Sequence, residues 1–180
     1  MTFEALGNVG DFIGGIGVVV TLAYLALQIR QNSSALKAAS AQAVLGALTQ
    51  SIASVASSSA ASRVAVLGQT DFDQLSEDEQ LQFALWLLGW FRVFEQAHQQ
   101  FMAGVLDRVQ WKGHAAQIES TMQSPTVRRW WAVRRMLFDP DFRRFIEDLP
   151  VESSLPGLPE IIAALRGEDS ADTAGSRHEN

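Results

Sequence analysis

Hydrophobic positions are unevenly spread along this chain, and their spacing changes from segment to segment. Residues 12–29, FIGGIGVVVTLAYLALQI, contain no charged side chain and are apolar on every face of a helix. A bilayer core of about 30 Å takes about 20 helical residues at roughly 1.5 Å each. A buried helix of a soluble protein is usually shorter or amphipathic. A signal peptide opens with basic residues and ends in a small-x-small cleavage site. Here the preceding flank holds Glu4 and Asp11, and the run leads into Gln28, Ile29, Arg30, Gln31 and Asn32. The pattern therefore predicts a short N-terminal segment over 1–11 and a transmembrane helix over 12–30. A buried soluble helix and a signal peptide are the rival readings. Gly10, Gly14 and Gly17 recur at spacings of four and three, which puts them on one helix face. Small residues at that spacing let two helix backbones approach closely in lipid. They are candidate helix-association residues, although glycine is also simply common in transmembrane helices.

Beyond the span, residues 33–62 are rich in Ala and Ser and lack Pro, so an Ala/Ser-rich membrane-proximal helix is expected over 31–67. Ala38, Ala41, Leu45, Leu48, Ile52 and Val55 step by three and four, which suits a narrow seam along a partner helix. Residues 68–75 read as a loop. Ser76 and Glu79 then form a capping-box pattern, opening a long helix whose middle, residues 83–94, is apolar nearly all round. Twelve residues are too few to span a bilayer, so a central core helix is expected. Asp107, Ser124 with Pro125, and Asp139 with Pro140 mark three further helix starts. These complete a helical bundle over 76–149. Residues 150–167 form a Pro-rich connection with a short last helix closed by Gly167. The polar tail, 168–180, is expected to be disordered. The fold class is all-α: an N-terminal transmembrane helix continuing into an Ala/Ser-rich helix, then a small bundle.

Charge narrows the partners. The net charge of −6 disfavours a general nucleic-acid binder. The absence of cysteine removes disulfides, thiolate zinc sites and a cysteine nucleophile. Arg30 and Lys37 follow the span while no base precedes it, so the positive-inside rule places the C-terminal bulk in the cytoplasm. The string ending TLAYLALQIRQN, the segment FEQAHQQF with Gly104, Trp111 and the stretch 125–131 together resemble a family of small uncharacterised bacterial proteins. Those proteins open with one hydrophobic helix followed by a YLAxQxRQN-type motif and a helical region. The resemblance spans most of residues 7–149. It implies a membrane-anchored helical protein and brings no activity with it. The expected location is the bacterial inner membrane, single-pass.

Few residues carry chemistry. Glu95 and His98 form an E-x-x-H step, but di-iron bundles need two such motifs and two more carboxylates. They remain weak metal candidates, and no cofactor is expected. A buried polar cluster, with Glu95 paired to Arg92, is the plainer reading. A small-ligand pocket lined by Trp90, Phe94, Glu95, His98 and Trp111 is another. Arg128, Arg129, Arg134, Arg135, Arg143 and Arg144 crowd into seventeen residues. They suit an anionic lipid surface, a nucleic-acid patch, or a solvated face paired with local acids. No P-loop, dinucleotide glycine motif, H-E-x-x-H or G-x-S-x-G occurs, so the reading leans away from an enzyme. The first expectation is a membrane-anchored, homo-oligomeric interaction or scaffold protein. The alternative is a sensory or ligand-binding bundle using the Glu95/His98 region, and the third is a metalloprotein or enzyme.

Overall fold

The computed structural model describes residues 3–151 and 153–167, with side-chain surroundings from Gly14 onward. Gly10 and the tail from Glu168 lie outside the residues described in this way. The fold is all-α, with no strand among the described residues. Its helices are α1 (Phe3–Ala56), α2 (Ser59–Thr70), α3 (Glu77–Met102), α4 (Arg108–Thr121), α5 (Pro125–Arg134), α6 (Pro140–Glu147) and α7 (Leu158–Arg166), with 3₁₀ turns at Phe72–Gln74 and Arg135–Leu137. The chain divides into two compact units, Met1–Gln42 and Ala43–Asn180.

In the first unit, residues expected to form a short N-terminal segment are already helical from Phe3. The helix runs unbroken through Asn32, Ser33 and Ser34. Ile16, Val18, Val19, Val20, Leu22, Leu25, Leu27 and Ile29 are all exposed. A soluble core helix would bury such residues. The apolar stretch is long enough to cross a membrane, and none of its most hydrophobic window is buried.

The second unit is built around α3. Its buried positions, Phe83, Leu87, Trp90, Phe91, Phe94, Ala97 and His98, follow the helical period, while Leu81 and Leu85 on the other side are exposed. Helices α2, α4 and α6 pack on it, and α5 and α7 pack on α2. Phe83, Leu87, Phe91, Phe94, Ile118, Val127 and Phe142 form the fully buried centre.

Each helix start has a visible cause. Ser76 and Glu79 exchange side-chain and backbone hydrogen bonds, as do Asp107 and Gln110. Ser124 and Asp139 accept from the first-turn amides of α5 and α6, each of which has proline in that turn. After α3 the chain turns at Gly104, φ +67°, and after α7 at Gly167, φ +76°. Both lie in the left-handed region that glycine enters without steric cost.

Three expectations are corrected. The Ala/Ser-rich segment is not one helix over 31–67. It breaks after Ala56, where Ser58 adopts extended backbone and its hydroxyl accepts from the Ala61 amide. Gly68 then sits inside α2 rather than opening a loop. A side chain there would strike the Phe83 ring, so glycine allows α2 and α3 to close together. The seam on the end of α1 is also rotated. Val44 and Leu48 are buried and Ala47, Ser51 and Val55 half-buried, while Leu45 and Ile52 are exposed. Over residues 44–55 the two stripes share Leu48 and Val55. They diverge elsewhere because the observed steps run four, three, four instead of three, four, three.

Candidate ligand cavity and the Glu95–His98 region

Glu95 occupies a buried position on α3, 7% exposed, and both carboxylate oxygens are engaged. Oε2 accepts from the Arg92 guanidinium at 2.6 Å, and Oε1 accepts from the backbone N–H of Asp139 at 2.6 Å. The Arg92 guanidinium also lies 4.7 Å over the Phe138 ring. Glu95 thus joins α3 to the start of α6. One residue, Asp139, serves two helices: its main chain donates to Glu95, and its side chain caps α6.

His98, one turn further along, is 6% exposed and enclosed by aromatic rings. Its centroid lies 5.2 Å from Trp111, 5.5 Å from Phe145 and 5.7 Å from Phe142. The E-x-x-H spacing is therefore occupied by structure: the carboxylate is spent on a guanidinium and an amide, and the imidazole faces ring carbon. Among the described residues no group of three or more His, Cys, Asp or Glu side chains could hold a metal ion.

Burial pushes the His98 pKa below the ordinary histidine value of 6.5, with Asp139 and Asp141 partly opposing the shift. Burial alone lowers His114, whose ring lies 6.0 Å from Phe94. The unfolded chain then binds protons that the folded chain refuses, so stability is complete above about pH 6.5 and declines below it. The limit is about 1.4 kcal/mol per pH unit for each histidine. The melting temperature is expected to drop between pH 7 and pH 5.5, and His98→Gln with His114→Gln is expected to flatten that drop. An unaltered slope in the double variant would place the acid sensitivity elsewhere.

Of the five residues grouped as a pocket by sequence, Trp90 alone lines the main cavity among the helices of the second unit. Phe94, Glu95, His98 and Trp111 are packed into the core. That cavity, about 460 Å³, is bounded by the end of α1 (Ile52, Val55), α2 (Ala65, Val66, Gln69), α3 (Trp86, Trp90), α4 (Gln117, Ser120, Thr121) and α7 (Leu158, Ile161). Its walls are mainly apolar, with amides and hydroxyls among them. Trp86 and Trp90 lie 6.3 Å apart along one face of α3. Trp86 Nε1 is buried without a hydrogen-bond partner. The size and lining match ordinary small-molecule sites. Two ties hold the neighbouring helices in place: the Ser124 hydroxyl donates to the Gln69 carbonyl at 2.8 Å, and the Ser120 hydroxyl donates to the Pro156 carbonyl at 2.5 Å.

The six arginines have different partners. Arg128 turns inward, its Nε donating to the Met122 carbonyl at 2.5 Å, with further bonds to Gln123 and to the Val151 carbonyl. Arg135 pairs with Glu147 at 2.8 Å, and Arg144 pairs with Asp141. Arg143 donates to the Met136 sulfur. Arg129 bonds only the Thr126 hydroxyl, at 3.3 Å, and Arg134 has no ion pair or hydrogen bond among the described residues. No family model, no curated protein and no solved structure matches the chain, so function is argued from this geometry.

Proposed function

We propose that the protein is a single-pass, inner-membrane-anchored bacterial protein whose anchor self-associates, making it a homo-oligomeric scaffold with a cytoplasmic helical bundle. The observation that carries this reading is the exposure of every described apolar residue between Gly14 and Ile29. That surface needs lipid or another helix around it. Gly14 and Gly17 have nothing within 4 Å of where a side chain would begin, which leaves a smooth face open for a second helix. Arg30 and Lys37 on the following turns set the orientation.

The full-length chain is expected to sediment with membranes and to cross-link as a dimer or higher species there. Gly14→Ile with Gly17→Ile is expected to cut the cross-linked fraction several-fold. A chain that stays in the supernatant without detergent would end the anchor reading. An uncrosslinked wild type in membranes would end the scaffold reading alone.

The 460 Å³ cavity favours a second reading, a bundle that binds a small neutral apolar or aromatic molecule. A ligand at one hundred times its Kd adds about 2.7 kcal/mol of stability. Millimolar indole is expected to raise the melting temperature of the wild type, and Val66→Phe, which fills the space, is expected to abolish the rise. An equal rise in both would place the binding outside this cavity.

A further inference from the structure

A second, smaller cleft has a different chemistry. It lies beside α5 and encloses about 290 Å³. Thr126, Arg129, Trp130, Val133 and Arg134 line it from α5. Their offsets of three, four, seven and eight residues form a single helical stripe. Phe72, from the turn after α2, and Phe83 and Ala84 of α3 complete the walls. The result is an apolar trough with guanidinium groups from two turns of one helix.

Three observations point to what fills it. Of the six arginines in this region, the two that line the cleft have no carboxylate, carbonyl or sulfur partner among the described residues. Arg128, Arg135 and Arg144 are engaged by carbonyls or acids, and Arg143 by a sulfur. The Trp130 indole Nε1 is buried and lacks a hydrogen-bond acceptor, so a third donor at this stripe is unused. Val133 is 79% exposed, although it sits between the two cationic positions, where a solvated face would be polar. Asp71 and Asp73, on either side of Phe72, are not among the lining residues, and the Asp71 carboxylate accepts from the Gln74 side-chain amide at 2.5 Å.

We propose that this cleft binds a single-chain amphiphilic anion of the fatty-acid class. Its carboxylate pairs with Arg129 and Arg134, and its alkyl chain lies along Val133, Trp130, Phe72 and Phe83. Planar guanidinium groups match a carboxylate in shape as well as charge. At about 30 Å³ for each small group, the space admits about ten methylene-sized units. One medium chain fits and the two chains of a phospholipid do not, which selects a free acid over a bilayer lipid. The site is distinct from the neutral 460 Å³ cavity and does not depend on the membrane anchor.

All five tryptophans, Trp86, Trp90, Trp111, Trp130 and Trp131, belong to the second unit, so a brominated chain bound there quenches their fluorescence. The test uses the full chain in phosphatidylcholine nanodiscs, titrated with bromodecanoic acid and, separately, with bromodecanol. The acid is expected to quench saturably, and the alcohol at least tenfold more weakly. Arg129→Gln with Arg134→Gln is expected to weaken the acid about tenfold or more at an unchanged melting temperature. Val133→Glu, which leaves both arginines in place, is expected to do the same. Equal quenching by acid and alcohol, or an unaffected double arginine variant, overturns the proposal. If phosphatidylglycerol in the nanodisc displaces the bromo acid, the occupant is a bilayer lipid and the free-acid assignment falls.

Discussion

Truncating Phe91 to alanine is expected to destabilise the bundle by about 3–5 kcal/mol, the range for deleting a fully buried aromatic ring. Phe91 has no exposed surface, and it touches more of the core than its own helix. Its ring lies 5.3 Å from Trp130, stacked, and 5.2 Å from Trp131, both on α5. It lies 6.2 Å from Phe138 ahead of α6 and 5.5 Å from Trp90. Aromatic pairs of this geometry contribute about 0.5–1.5 kcal/mol beyond the area they bury. The surrounding rings are themselves held by several elements, so they collapse poorly into the space left behind. Denaturant unfolding of the full chain in mild detergent, followed by helical circular dichroism, reads the loss. Phe91→Leu keeps most of the volume and is expected to cost roughly half as much. A loss under 1 kcal/mol for Phe91→Ala would mean that α5 is not anchored through this ring.

Replacing Glu95 by alanine is expected to cost about 3 kcal/mol. The ion pair itself contributes little of this, because Arg92 is about half exposed and water screens it. The larger part is the Asp139 amide, left without its acceptor at a half-buried helix start. An unsatisfied buried donor costs about 1–3 kcal/mol, and more where the lost bond was to a charged group. Glu95→Gln keeps an acceptor for that amide and is expected to lose only about 1 kcal/mol. The same unfolding measurement separates the two. Equal losses for alanine and glutamine would assign the stabilisation to Arg92 instead.

The helix starts were legible in the sequence wherever a capping residue stood next to a clear change in pattern. Ser76, Asp107, Ser124 and Asp139 each combine a short polar side chain with an acidic, amide or proline partner at the right offset, and each is the N-cap found. The all-α class followed from those signals. Ser58 was hidden because serines surround it at 57, 59 and 62, and any of them could cap equally well. Rotation of the seam on α1 was hidden for a related reason. Val44 and Leu45 are adjacent and similarly apolar, so spacing alone does not select which one faces the bundle.

The site was less legible than the fold. Trp90 and Glu95 stood out, but the cavity is assembled from five helices whose contributions lie more than one hundred residues apart. Hydrophobic period identifies a buried face without showing where facing side chains fall short of filling the space. The arginine cluster was legible in part: pairing with local acids was among its readings, and Arg135 and Arg144 do pair so. Its six members share a stretch of sequence, yet their partners range from the Met122 carbonyl to the Glu147 carboxylate. Counting charges along the chain could not separate the engaged ones from Arg129 and Arg134.

The division of labour at Asp139 bears on how the gene can drift. The contact that α3 receives comes from the peptide group, so it survives any replacement at 139 except proline. The cap needs only a short acceptor, which Asn, Ser or Thr also supplies. Position 95 has no such latitude: only glutamate or glutamine reaches across with an oxygen. In a comparison of diverged copies, mutational tolerance should therefore be lopsided across this single hydrogen bond, wide at the donor and narrow at the acceptor.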